Sequence, residues 1–321
     1  MSGLDVLSTR LFPKNLGADR YALTGLAARC DWVVLSDHVN PHTHLHIARN
    51  PYAPETIFLS LRAHDKALEY FAETVLPRLT RPFFLMSGSC DITLPQQTDK
   101  RWPPLNSAGR AYVEQIVEHP LLLKWSMENM DRVFHSSVHP LPIGMIYSDA
   151  PMIRSSIPVP NVTPLAERPL RVLCGHRVRD GAQWETRKLI TKLAKTDWSA
   201  FTTSIETNLP EPEFLAHMQE HSFILCAEGG GLDPSPKAWQ ALLHGAIPII
   251  RKTALYEAYR QLPVAFVESW TPDALSVEKL AKWKELYLVD YDIPQRRAEI
   301  IRRLSIDYWW NQATKTSRNL G

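Results

Sequence analysis

Between Phe223 and Ile250 the chain reads FILCAEGGGLDPSPKAWQALLHGAIPII, and no other stretch restricts the fold as much. Four apolar residues predict a buried strand, three consecutive glycines a loop, PSPKAWQALLH a short helix, and AIPII a second strand. Pro236 suits the first helical turn, where its missing N–H would find no partner anyway, and Gly245 suits the position just past the helix end. Two strands joined through a helix run parallel in one sheet, which makes this a βαβ unit. Its glycine turn then lies at the carboxyl end of a strand, the edge where open α/β sheets bind ligands.

The same alternation runs through most of the 321 residues, so the chain is expected to be α/β. At roughly 150 residues per domain, two domains fit. In the first half, Asp31 to Val39 reads as a buried strand, Thr56 to Leu79 contains a helix, and Arg81 to Asp91 is a strand entering a loop of small residues. A helix around Ala108 to Glu118 and a strand within His139 to Tyr147 follow. Ser148 to Pro169 holds five prolines with little periodicity, as an interdomain linker would. The pattern restarts with a strand at Leu170 to Gly175 and helices at Trp184 to Lys195 and Pro210 to His221.

Lys plus Arg (36) against Asp plus Glu (34) leaves a formal charge of +2, which gives no basis for a broad nucleic-acid footprint. The four cysteines, Cys30, Cys90, Cys174 and Cys226, stand more than fifty residues apart beside apolar runs and are expected to be buried, reduced thiols. The first thirty residues lack a signal-peptide apolar core, and no run reaches the 18 or so apolar residues of a membrane span. A cytoplasmic location is expected. No residue pattern bears on oligomeric state.

A loop of backbone N–H groups leading into a helix N-terminus suits a phosphate. Gly229, Gly230 and Gly231 would supply amides, Lys237 a point charge, and Ser235 a helix cap and hydroxyl. The same turn would also serve as a plain strand-to-helix connection. Neither G-x-G-x-x-G nor G-x-x-x-x-G-K-[ST] is present, so a diphosphate here belongs to another nucleotide class. Arg177, Arg179 and Arg187 follow the Leu170 to Gly175 strand and point to the same sheet edge. In the first half, Asp91 ends an apolar strand, where a carboxylate can act as a general base or cap a turn. Asp37 and His38 occupy a comparable strand end as the reserve base, and Glu128 and Asn129 are candidates for acceptor contact, with a plain helix surface as the alternative. His42, His44 and His46 would share one strand face, but Pro41 and the absence of a nearby Cys favour a surface or acceptor-lining loop over a metal site.

The Phe223 to Ile250 block resembles the exostosin-like glycosyltransferase pattern: a strand, a Gly-rich loop, S-x-R-x-W-E-A-L, then G-x-I-P-V. In weaker form SGSCDITLP, HPLLLKWSMENMD, HPLPIGMIY and DYWWN are similar to the Ser/Asp loop, the H-P-x-x-x-x-W-x-x-x-N helix, the P-I-G strand and the Trp-rich last helix of bacterial exostosin-like proteins. The resemblance implies a GT-B fold, with two Rossmann-like domains facing a central cleft. Residues 1–160 would bind the acceptor, 161–295 the nucleotide-sugar donor, and the helix in 296–321 would pack back toward the first domain. Where the family commonly has Arg and Glu, this chain has Lys237 and Gln240; Lys loses the bidentate fork, and Gln240 or Glu228 is left to contact ribose or sugar.

What the resemblance implies is a soluble glycosyltransferase of polysaccharide biosynthesis. It would move a hexose or pentose from a nucleoside-diphosphate sugar to a hydroxyl of a glycan or glycoconjugate, with inversion, with no metal and with no cofactor beyond the donor. Arg187 would clamp phosphate and Asp91 would be the base. A nucleotide-sugar isomerase or hydrolase on the same scaffold, and a degenerate glycan-binding protein that has lost the Arg and Glu, are the alternatives.

Overall fold

The structure is a computed structural model and describes residues 3–12, 23–37, 43–146 and 156–315. The chain divides into two compact units. An N-terminal unit comprises Asp5–Ser156, Gly231–Asp233 and Ser305–Gly321, and a C-terminal unit is built on Ile157–Gly230 and Pro234–Leu304. A short strand β1 (Leu4–Asp5) pairs with β8 (Ser156–Ile157) apart from both main sheets.

The N-terminal sheet has six strands in the order β3-β2-β4-β5-β6-β7. They are β2 (Trp32–Ser36), β3 (Thr43–Ile47), β4 (Thr56–Ser60), β5 (Phe83–Gly88), β6 (Leu122–Glu128) and β7 (Val138–Leu141). All neighbours run parallel except β3, which pairs antiparallel with β2. Every residue of β2 and β4 is buried, so their sequences show no polar alternation. Thr56 to Leu79 therefore opens with a strand, and its helix is α1 (His64–Tyr70), continued by a π turn over Phe71–Val75. The helix α2 (Ser107–Val117) starts at Asn106, whose side chain accepts from the Gly109 amide at 2.7 Å.

Two expectations change here. HPLLLKWSMENMD does not form a helix; its centre is β6, because Leu85 and Val138 on the flanking strands pair with Trp125, and the indole Nε1 donates to Ser87 Oγ at 2.8 Å. The histidine tract is not a loop where it is described. His44 and His46 lie exposed on edge strand β3, and His42 lies outside the described residues.

The C-terminal sheet is five-stranded and parallel, in the order β10-β9-β11-β12-β13. Its strands are β9 (Val172–Cys174), β10 (Thr202–Ser204), β11 (Phe223–Leu225), β12 (Ile247–Arg251) and β13 (Ala265–Val267). The helices are α3 (Glu185–Lys195), α4 (Glu211–Glu220), α5 (Pro236–Leu243), α6 (Tyr256–Tyr259), α7 (Val277–Asp292) and α8 (Pro294–Leu304). The expected βαβ unit is β11–α5–β12, with Phe223 opposite Ile247 and Leu225 opposite Ile249. Beyond α8 the chain does not continue as one helix. Ser305 interrupts it and caps α9 (Ile306–Thr314), accepting from the Tyr308 amide at 3.1 Å. In the N-terminal unit, α9 packs on β5 and β6 and buries Ile306, Trp309 and Ala313. Among the described residues no helix is long and apolar enough to cross a membrane.

One buried cation organises the C-terminal unit. Arg168, at the end of the proline-rich stretch and 3% exposed, donates to the carbonyl oxygens of Thr163, Met218, His221 and His244. It thereby ties the C-terminal ends of α4 and α5 to the proline-rich stretch. Burial pulls its pKa down to about 10, so it still carries its charge at neutral pH. Gly245 is required twice over: its φ is +77°, and a Cβ would lie 2.7 Å from Arg168 Nη2. Arg168→Met strands these carbonyls without donors and is expected to lower the unfolding free energy by about 3 kcal/mol or more. Urea titration followed by circular dichroism checks this, and an unchanged midpoint contradicts it.

Candidate functional site

Strands β9 and β11 are neighbours, and their carboxyl ends lead into the two segments that build the site. After β9 come Gly175 and His176; a Cβ on Gly175 would meet the Phe214 ring at 2.6 Å, so only glycine fits. After β11 the chain runs from Cys226 into the glycine loop. Three carbonyls of that loop are captured by side chains of the C-terminal unit. Arg187 Nε donates to Glu228 O at 2.9 Å, and Gln183 Nε2 donates to Gly229 O at 3.1 Å and Gly230 O at 2.6 Å. The N–H groups of Gly229, Gly230 and Gly231 meet no acceptor among the described residues, although Gly230 and Gly231 are buried. Successive amides without acceptors are groups that can receive the oxygens of an anion.

The charge around this loop is positive. Arg187 also donates through Nη1 to Arg177 O at 3.3 Å, so two of its N–H groups end on carbonyls, which fix its position. Its guanidinium lies 5.2 Å from the Trp184 ring, over which Arg179 also lies at 5.0 Å. Ser235 adopts φ +74° and caps α5, with Oγ accepting from the Lys237 amide at 3.4 Å and Pro236 in the first turn. Lys237 is half-buried, and its ammonium has no carboxylate partner among the described residues. Burial, then repulsion from Arg187 and Arg177, lowers its pKa to about 8. His176 is held by Nε2 at 3.1 Å from both Arg187 O and Thr191 Oγ1, and burial brings it down to about 4, so it is neutral at pH 7. Burial pushes the Cys174 thiol up to about 12, so it adds no negative charge.

The structure thus brings Arg187, Gly229, Gly230, Ser235 and Lys237 into one neighbourhood, with Arg177 contributing its backbone and an exposed side chain. Glu228 points elsewhere: its Oε1 accepts from Arg251 Nε and its Oε2 from Trp270 Nε1 at 3.1 Å, leaving neither oxygen open to a sugar hydroxyl without exchange. Gln240 donates to Glu211 Oε1 at 3.3 Å. Gly231 belongs to the N-terminal unit with Leu232 and Asp233, whose amides both donate to Asn129 Oδ1 at 2.9 Å. A Cβ on Gly231 would meet that same side-chain oxygen at 2.3 Å.

The other candidates stand at the carboxyl edge of the N-terminal sheet. Asp91, 38% exposed, pairs with Arg101 Nη2 at 2.7 Å and Arg10 Nη2 at 3.5 Å. Burial pushes its carboxyl up, but the two arginines pull harder and hold it below the usual carboxylate range. Asp37 is buried just past β2, and His38 lies outside the described residues. Sequence reasoning missed the roles of Arg10, Gln183 and His176, and offered Glu128 as an acceptor contact or part of a plain helix surface. The Glu128 carboxyl is buried, accepting from Thr9 Oγ1 at 2.6 Å and the Ser89 amide at 2.8 Å, and burial pushes its pKa up against the pull of Arg10. Gly88 makes room for it, since a Cβ there would lie 2.3 Å from Glu128 Oε2. Ser89 (φ +71°) and Asn129 (φ +54°) are both strained, at the ends of adjacent strands.

No protein-family model matches the chain, and no curated protein matches it. Among solved structures it is similar to the spinosyn rhamnosyltransferase SpnG, at 10% identity over 78% of this chain and 69% of that one, with a TM-score of 0.37. SpnG has also been solved with thymidine diphosphate. The Phytolacca americana UGT2, complexed with UDP-2fluoro-glucose and pterostilbene, aligns at 11% identity over 82% of this chain and 72% of that one, with a TM-score of 0.31. An alpha1,3-fucosyltransferase aligns at 12% identity over 84% and 92%, also at 0.31. At TM-scores this low the likeness is loose.

A bound oxyanion favours the charged form of Lys237, so binding takes up a proton wherever the free lysine has begun to lose its own. With the free group titrating at about 8, diphosphate affinity is expected to fall about tenfold between about pH 7 and pH 9. His176 and Cys174 titrate far outside that window. Calorimetry with UDP and dTDP in buffers of different ionisation enthalpy measures the proton uptake. Lys237→Met should weaken binding and flatten the profile; an equally steep profile in the variant assigns the proton to another group.

Proposed function

We propose that the protein is a glycosyltransferase of the exostosin-like type that moves a sugar from a nucleoside diphosphate to a hydroxyl of a glycan. One observation carries this reading: the successive amides of Gly229 and Gly230 meet no acceptor among the described residues, and they share the C-terminal unit with Lys237, whose ammonium meets no carboxylate among them. A diphosphate supplies both missing elements, oxygen acceptors for the amides and negative charge for Lys237.

In this reading Gly229, Gly230, Gly231, Ser235 and Lys237 bind the donor diphosphate, and Arg187 stiffens the loop while adding charge. As the glycosidic bond breaks, negative charge grows on the leaving diphosphate, and fixed donors stabilise it most at that moment. These side chains take the part that a divalent cation plays elsewhere. Gln240 would turn from Glu211 to the ribose, whereas Glu228 keeps its place against Arg251 and Trp270. Asp91 is the base that receives the acceptor's proton while the hydroxyl attacks the anomeric carbon from the face opposite the diphosphate, which inverts that centre. Held low by Arg10 and Arg101, Asp91 is ionised at neutral pH and takes the proton late, once the attacking oxygen has become acidic.

Two measurements test the reading. Donor candidates carrying UDP, GDP, CMP or dTDP are screened for protection against thermal melting, and at one hundred times Kd a true ligand stabilises by about 2.7 kcal/mol. Failure of all four removes the transferase. Asp91→Asn is then expected to lower transfer by about 100-fold or more while nucleotide affinity stays within about twofold. Unchanged turnover removes Asp91 as the base and leaves the donor site standing.

A further inference from the structure

The carboxyl edge of the N-terminal sheet holds a cation that nothing in the donor chemistry uses. Arg62 stands two residues past β4, with the backbone fixed on either side: the Leu61 amide donates to Gly88 O at 3.0 Å, and the Ala63 amide donates to Ser36 Oγ at 3.2 Å. Its guanidinium lies 5.9 Å from the Phe12 ring centroid. Its Nε is buried without an acceptor, and among the described residues it makes no ion pair, with Asp37 on the neighbouring strand end or with any other carboxylate. A second guanidinium on this edge shares the defect. Arg10, two residues before Phe12, also has a buried Nε without an acceptor, although its Nη2 faces Asp91 at 3.5 Å and Glu128 at 3.6 Å. Arg101 is spoken for by Asp91 and Asp99. On the same edge the His64 ring meets Trp102 edge-on at 6.1 Å, and the indole is 41% exposed.

A buried N–H without an acceptor costs about 1–3 kcal/mol, and two of them at one sheet edge mark a place where oxygens arrive from outside the chain. The carboxylates beside Arg10 and Arg101 already balance those two charges, so the uncompensated one is Arg62. A guanidinium presents Nε–H and an Nη–H side by side, the spacing of two oxygens of one carboxylate or phosphate. The exposed Trp102 face offers an apolar plane for a ring carried by the same molecule. We propose that Arg62 binds the anionic substituent, a carboxylate or a phosphate, of the molecule that docks on this edge. On the transferase reading above, that molecule is the acceptor, and the acceptor is therefore an acidic sugar.

The test needs no turnover. The full chain is titrated with glucuronate, glucose 6-phosphate and glucose while the arginine Nε–Hε signals are followed by NMR. The acidic sugars are expected to shift the Arg62 Hε signal and to bind about tenfold or more tighter than glucose. Whichever acid binds tighter identifies the group as carboxylate or phosphate. Arg62→Gln should erase that preference while UDP and dTDP affinities hold, and Arg62→Lys, which keeps the charge without the fork, should retain part of it. Thermal melting confirms that both variants are folded; if only Arg62→Lys folds, a preference equal to wild type in that variant overturns the proposal. It is also overturned if neither acid binds tighter than glucose, or if Arg62→Gln keeps the preference. Acid binding without nucleotide binding would remove the transferase reading and leave the Arg62 site; nucleotide binding without acid binding would do the reverse.

Discussion

A peptide group has two ends, and whatever holds its carbonyl decides where its N–H points. In the loop after β11, Arg187 holds the carbonyl of Glu228 and Gln183 holds those of Gly229 and Gly230. With the carbonyls taken on one side, the following amides are left to face another. Glycine is needed there for space as much as for conformation: a Cβ at Gly229 would press on Arg187 Nη2 at 2.9 Å. The proposed diphosphate chemistry therefore rests on two hydrogen-bonding side chains that never touch the ligand through those bonds. Lys237 supplies charge to a cradle that Gln183 and Arg187 have already turned the right way.

The second half of the loop is governed by a different residue. Asn129 uses one oxygen to take two amides, those of Leu232 and Asp233, and donates through Nδ2 to Cys90 O at 3.1 Å. The Asp233 carboxylate in turn accepts from the Ile143 amide at 3.0 Å. These bonds account for the amides that would otherwise extend the row, so the row of free donors ends at Gly231. Strain at Asn129 and Ser89 fits the same logic, because both residues turn polar atoms inward at strand ends where an ordinary extended backbone would carry them past.

Much of this was legible in the chain. The βαβ unit, the Pro236 and Gly245 positions and the Ser235 cap follow from local rules, because apolar runs, caps and glycine stops act within a few residues of themselves. What local rules do not carry is partnership at a distance. Arg168 looked like one more residue of a proline-rich stretch, and its importance comes from carbonyls fifty to seventy-six residues away. Glu128 reads as a surface residue until Thr9 and Ser89 close over it. The helix expected at HPLLLKWSMENMD rests on its resemblance to a family pattern, and pairing with strands on both sides shows the segment to be a strand in the sheet instead.

The choice of lysine at position 237 acquires a reason from its surroundings. An arginine would stay charged against Arg187 and Arg177 whatever the pH, so the free site would carry the whole repulsion at all times. Lysine relieves it only as the pH rises through about 8, where it releases a proton, and in the proposed reading an arriving anion would restore the charge. The bidentate fork is what is given up. Since the loop amides already provide directed donors, the ligand loses little geometry when the cation beside it is a point charge. The departure from arginine is thus consistent with a working anion site, in which direction comes from the backbone and charge from a side chain that titrates within reach of neutral pH.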